Sequence, residues 1–377
     1  MAKVDFINTK NLRIARENVG MTTFFSSTKF NNTGKDIVLS WESGDSLPTW
    51  KQAEKLAKMY GIPVLVLFSK NLIRKNKAIP DYRIKDQIED GDRVKKLVNF
   101  VIKRQEWLEQ RLKEEGLKNK LQGSGKNIET PKKLAHFIKD KLNINLNEIK
   151  SISGLGSRRK VLKYLIEKAE NKGIFIGKTI SYHKVEVNEL RGLFIANDYC
   201  PFIILNRKDS LSAQLFSLIH EFAHFFRKTE AISNSLEFRK LNNNINNEEI
   251  FCNQVAIEFF LPNEELLKKY YNKEDISKLS EIYKLSTLAI FYRLKSLGKI
   301  MQSEVDKIEK EIKQESEDYI KSLQNKKKKK KGGNYLNNMK DSNGDLFNKV
   351  IAKYYFENKI GYTEASNLLN FSIEHLW

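Results

Sequence analysis

Residues 217–226 read SLIHEFAHFF, which sets His220 and His224 four positions apart with Glu221 directly after the first. On a helix, positions i and i+4 lie on one face, so both imidazoles can point at one ion. Zinc accepts imidazole nitrogen, and a catalytic zinc site keeps three protein ligands and one open position for water. Glu221 falls beside that ion rather than on it, where a carboxylate can take a proton from the attacking water. Leu215, Phe216, Leu218, Ile219, Phe222, Ala223, Phe225 and Phe226 surround the three, and no other charge falls between Ala213 and Phe226. Burying two histidines and a glutamate is costly unless they are paired or ligating. That cost disfavours the alternative of two hydrogen-bonded core histidines.

A third ligand has to come from elsewhere. The run NNEEIFCNQVAIEFFLP (246–262) reads as a helix closed by Leu261-Pro262. Glu249, Asn253, Ala256 and Phe260 share one face, with Cys252 beside them, and the small residues there allow close approach to the histidine helix. Glu248 lies one step round, beside bulkier positions. Either acid could instead be a solvated carboxylate near a helix N-terminus, where acids are favoured; the face favours Glu249.

The elements that must position these groups follow from the residues before them. Residues 158–171 read as a helix, and GIFIG, VEVNELRGLFIAND and PFIILN alternate or run apolar between turn residues, as strands do. Asn197-Asp198 supplies a hairpin turn between Leu193–Ala196 and Phe202–Leu205. Asp209 or Ser210 caps the histidine helix. Helix, small sheet and helix in that order predict an α+β, mostly helical fold. Strand 202–205, just before the helix, is expected to offer an edge to an extended substrate. Tyr182, His183 and Asn253 are candidates for the group that stabilises the oxyanion.

The chain has 377 residues and a formal net charge of +20. It contains no run of 18 apolar residues, so no membrane-spanning segment is expected, and the N-terminal stretch lacks the apolar centre of a signal peptide. Cys200 and Cys252 are the only cysteines, which excludes a disulfide framework and fits a reducing, cytoplasmic location. The basic balance attracts nucleic acid or acidic partners without defining a site. Residues 92–115 form an amphipathic helix, LQGSGKN (121–127) reads as a flexible joint, and Pro131 starts another helix. Beyond Pro262 the pattern is helical. Arg293 and Lys295 lie on a second helix-turn-helix-like segment, and Lys326–Lys331 reads as a solvated linker.

The run RGLFIANDYCPFIILNRKDSLSAQLFSLIHEFAHFF followed by EEIFCNQVAIEFFLP resembles the ImmA/IrrE family of zinc metallopeptidases. Asn206 ends the strand before the helix, and Glu249, Cys252, Asn253, Ala256, Leu261 and Pro262 fit the family's second motif. The resemblance implies a zincin-like core in which His220, His224 and Glu249 hold Zn2+ and Glu221 is the catalytic base, with Asn206 and Asn253 as supporting residues. At the N-terminus, WESG and the helix TWKQAEKLAKMYGIP resemble XRE-type helix-turn-helix domains, although the helix around Lys35–Ser43 offers few groups that read bases. PDYR and GGNY (332–335) are similar to a long subgroup of the family.

These resemblances divide the chain into an XRE-like domain (1–78), a helical connector (79–150), the metallopeptidase domain (151–270), a helix-turn-helix-like segment (271–300), a charged helix with a lysine-rich linker (301–331) and a helical tail (332–377). They imply an intracellular endopeptidase that cuts a DNA-binding repressor or a toxin-like partner, and possible contact with DNA. The alternative is a non-proteolytic regulatory or antitoxin protein, set beside a PIN-type toxin, in which zinc is structural.

Overall fold

In a computed structural model, residues 6–18, 23–28, 30, 36–60, 62–72, 91–179, 185–229, 231–233, 247–327 and 335–376 are described. The connector 78–86 with its PDYR, Tyr182 and His183, Lys328–Lys331 and residues 332–334 lie outside them. The chain divides into two units, Met1–Lys103 and Arg104–Trp377.

Unit 1 holds α1 (Thr9–Asn18), α2 (Thr23–Thr28), α3 (Ile37–Ser43) and α4 (Trp50–Tyr60), then a 3-10 turn over Val64–Phe68. Leu12, Val38, Trp41, Leu56 and Leu67 form its core. Asp36 caps α3, accepting from the Leu39 amide at 3.1 Å and from Ser27 Oγ at 2.7 Å, and Gly44 ends the helix with a positive φ of 85°. Glu42, the other acid of this stretch, meets Arg16 of α1 through two bonds of 2.6 and 2.8 Å. Both acids are therefore bound within the unit. The helix itself carries no lysine or arginine and leaves Leu39 exposed.

Helix α5 (Gly91–Glu114) spans the division between the units. Unit 2 continues with α6 (Pro131–Lys141), α7 (Leu146–Ser151), α8 (Ser157–Glu170), β1 (Phe175–Lys178), β2 (Gly192–Ile195), β3 (Phe202–Leu205), α9 (Leu211–Arg227), β4 (Ala231–Ser233) and α10 (Asn247–Phe260). It ends with α11 (Lys273–Tyr283), α12 (Thr287–Ser296), α13 (Val305–Lys327), α14 (Tyr335–Asn343), α15 (Asp345–Phe356) and α16 (Tyr362–Leu369). The architecture is the mostly helical α+β fold expected, with one small sheet among the described residues. Its strand order is β1-β3-β2-β4. Strand β1 runs parallel to β3, and β2 is antiparallel to both β3 and β4. Helix α9 packs on β2 and β3 on one side and on α8 and α10 on others, so the histidine helix is the centre of the core.

Three local expectations change. Strand 202–205 has no free edge: Phe202–Leu205 pairs with Phe175–Lys178 on one side and Gly192–Ile195 on the other, so it offers no place for an added strand. The turn between β2 and β3 is the longer loop 196–201, closed by the Asn197 side chain, whose oxygen accepts from the Tyr199 and Cys200 amides at 2.9 and 3.1 Å. The glycine-rich stretch 121–127 is a docked loop and not a joint. The Gly123 and Gly125 amides donate to the Phe225 and Phe226 carbonyls at 3.0 and 2.8 Å, adding a donor to the first, which also receives the Lys228 amide, and satisfying the second at the end of α9.

The cations singled out downstream are held by protein partners. Arg293 pairs with Glu258 and bonds Asn263 Oδ1 at 2.8 Å, and Lys295 meets Glu309 at 2.9 Å. Helices α14 and α15 pack on β1; where they meet, the Glu170 carboxylate accepts from the Leu346 amide in the first turn of α15 at 3.1 Å. No described helix is long and apolar enough to cross a membrane.

Candidate metal centre

Ser210 starts α9, its hydroxyl accepting from the Ala213 amide at 3.2 Å. From Gln214 to Phe226 every residue is buried. The apolar majority packs into the core, and one turn of spacing leaves His220 and His224 facing a common point, their Nε2 atoms 3.0 Å apart. Glu249 arrives from α10, with its two carboxylate oxygens 3.2 Å from His220 Nε2 and 3.3 Å from His224 Nε2. The buried Ala256 lies two turns further along α10, a small residue in a helix packed on α9.

The far nitrogens of both rings define what faces the centre. His220 Nδ1 lies 3.0 Å from Asn253 Oδ1, and a carbonyl oxygen only accepts, so this nitrogen carries the proton. His224 Nδ1 lies 2.9 Å from Thr229 Oγ1. That hydroxyl gives its own proton to Glu248 Oε1 at 3.2 Å, so here too the ring donates. Burial lowers the His224 pKa and favours the neutral ring. Both Nε2 atoms then point lone pairs at each other and at a carboxylate, an arrangement that repels unless a cation sits among them.

A metal fits this set by distance as well as by charge. An ion about 2.0–2.1 Å from each donor in tetrahedral geometry separates the donors by about 3.3 Å, and the observed separations are 3.0, 3.2 and 3.3 Å. A second group, His224, Glu248 and Cys252, also lies close together, but its chemistry fits less well. It uses His224 through the nitrogen that already donates to Thr229, Glu248 is bound by Arg227 at 2.5 and 3.0 Å, and burial keeps the Cys252 thiol protonated by raising its pKa.

Glu221 is fully buried on the same helix. Its carboxylate lies against the first residue of β2, where a β-carbon in place of Gly192's hydrogen would come within 2.5 Å of Oε1. Gly192 thus makes the room in which this carboxylate sits. Asn253 reaches the centre through His220. Asn206 does not: its oxygen accepts from the Lys208 amide at 2.9 Å, its nitrogen donates to the Leu190 carbonyl at 2.8 Å, and it ties the end of β3 to the loop ahead of β2.

Gly192, Thr229, Arg227 and the docked loop escaped the sequence reading. Only Gly192 had a visible signal, a glycine at the head of an apolar run, and that run gave no sign of which side chain it faced.

Two histidines, a carboxylate and a neighbouring buried glutamate on a helix packed against a small sheet define a metallopeptidase-type site. Residues 176–295 match the peptidase M78 family, described as IrrE N-terminal-like domain, so this stretch, from β1 to α12, is similar to the domains of that family. No curated protein and no solved structure matches the chain.

Proposed function

We propose that the protein is an intracellular, zinc-dependent endopeptidase that cleaves a specific protein, a DNA-binding repressor or a toxin-like partner. The observation that carries this reading is the convergence of His220 Nε2, His224 Nε2 and the Glu249 carboxylate within 3.0–3.3 Å, with Glu221 buried on the same helix, directly after His220 in sequence. His220, His224 and Glu249 would hold the ion. Zinc bound there would supply a Lewis acid that polarises the scissile carbonyl and acidifies water. Glu221 takes the proton from the attacking water at its carboxylate and returns it to the leaving amine. Asn253 and Thr229 hold the two rings in the tautomer that leaves Nε2 free.

A partner-docking role for unit 1 is favoured over base reading, because α3 carries no cation and exposes Leu39, while its acids are bound internally. Base edges in the major groove are read mainly by Arg, Lys, Asn and Gln. The two units then divide the work, with unit 1 choosing the partner and unit 2 cutting it.

The test compares wild type with Glu221→Gln in cells that carry the neighbouring genes, following partner fragments by mass spectrometry. Wild type should yield a defined pair of fragments and the variant none. Full biological function of the glutamine variant would instead assign the site a structural role and leave the function to the helical units.

A further inference from the structure

We propose that Thr229, Glu248 and Arg227 form a relay that positions His224 as a metal ligand; the proposal rests on the zinc reading above. Helix α9 ends at Arg227, and its cap residue Lys228 takes a left-handed conformation, φ 58° and ψ 40°. That turn sends the chain back on itself. The Thr229 amide bonds the His224 carbonyl at 3.0 Å, and the Thr229 hydroxyl lies 2.9 Å from the His224 ring. One residue thus holds both the backbone and the imidazole of the ligand.

A hydroxyl has one proton to give. Thr229 gives it to Glu248 Oε1 at 3.2 Å, which leaves its oxygen free to accept from His224 Nδ1. Glu248 is in turn clamped by Arg227, Nε to Oε1 at 2.5 Å and Nη2 to Oε2 at 3.0 Å. Arg227 is itself fixed from two sides. Its Nη1 donates to the Ile128 carbonyl at 2.9 Å, and its guanidinium lies 4.5 Å from the Phe251 ring centre. The docked loop 121–128 therefore reaches the metal centre through four side chains in series: Arg227, Glu248, Thr229 and His224.

The two imidazoles are supported differently. His220 is backed by a neutral amide oxygen, His224 by a hydroxyl that is polarised by a carboxylate. Backing by a carboxylate fixes the tautomer and strengthens the ring as a donor, and losing such a partner typically weakens metal binding about 10–100-fold. Glu248, which stands next to the ligand Glu249 in sequence, thus acts on the metal through His224 and not by direct contact.

The experiment measures Zn2+ affinity of the full chain by competition with a chromophoric chelator, for wild type, Thr229→Val, Thr229→Ser and Glu248→Gln. Circular dichroism of the metal-free forms checks that each is folded. The relay predicts affinity about 10–100-fold weaker for Thr229→Val, recovery in Thr229→Ser, which keeps the hydroxyl, and a smaller loss in Glu248→Gln, which keeps the shape and removes the charge. In the Co2+ forms, the ligand-field bands of Thr229→Val should shift and those of Thr229→Ser should not. If wild type binds Zn2+ tightly and both Thr229→Val and Glu248→Gln bind equally well, the relay is wrong and the zinc reading stands. If wild type binds no Zn2+, both fall together.

Discussion

Helices α3 and α9 both bury charged or titratable side chains, and the outcome differs. In unit 1, Glu42 of α3 closes on Arg16 through two short bonds and Asp36 closes on the hydroxyls and amide around it. The Glu42 and Arg16 charges cancel locally, and Asp36 is held by neutral donors. In unit 2 the outer nitrogens of His220 and His224 are satisfied by Asn253 and Thr229, while the inner ones converge with Glu249. Buried polar groups whose partners cancel make architecture. Those whose partners leave a shared, unbalanced focus make a binding site.

Breaking the focus should have the largest effect. His224→Ala, or dialysis against a strong chelator, should remove the metal, read by atomic emission of the purified protein, and abolish peptide cleavage. Glu221→Gln comes next: metal content stays at the wild-type level while the cleavage rate falls about 100- to 10,000-fold, the range for loss of a general base. A matched fall in metal content would instead make Glu221 part of the binding set.

On the side of the cancelling pair, Glu42→Ala leaves the half-buried Arg16 without this carboxylate and should cost about 1–2 kcal/mol of stability, measured by urea unfolding. Metal content should not change. Gly192→Ala sharpens the contrast from the other direction. A methyl group there enters the space of the Glu221 carboxylate, so turnover should fall about tenfold, on the scale of a misplaced catalytic group, with zinc affinity preserved.

The smallest effect concerns pH. Burial raises the Glu170 carboxyl to about 7 from its ordinary 4.5, so the folded state holds this proton more tightly than the unfolded state does. Stability from this group is present below about 4.5 and is lost as pH rises through about 7. The melting temperature should therefore fall by a few degrees across that window, and Glu170→Gln should flatten the fall.

Much of the site could be read in the sequence because a helix imposes its own geometry: i and i+4 place His220 and His224 together whatever the rest of the chain does. Choosing Glu249 over Glu248 relied on the same logic, a face of small residues on α10. The fold class was legible from the order of helix, strands and helix. What the sequence hid were contacts between distant segments. Nothing in GIFIG announces that it covers the free side of β3, and LQGSGKN reads as a joint because its glycines say nothing of the α9 carbonyls that receive their amides. Asn206 illustrates the limit of a motif: its position fits the pattern, and its bonds serve the loop before β2.

The central claim is the identity of the donor set, and X-ray absorption at the zinc edge of the purified, zinc-loaded protein tests it most directly. The account predicts a first shell of nitrogen and oxygen at about 2.0–2.2 Å, with two imidazoles and no sulfur. A sulfur scatterer at about 2.3 Å would place the metal on Cys252 and contradict it.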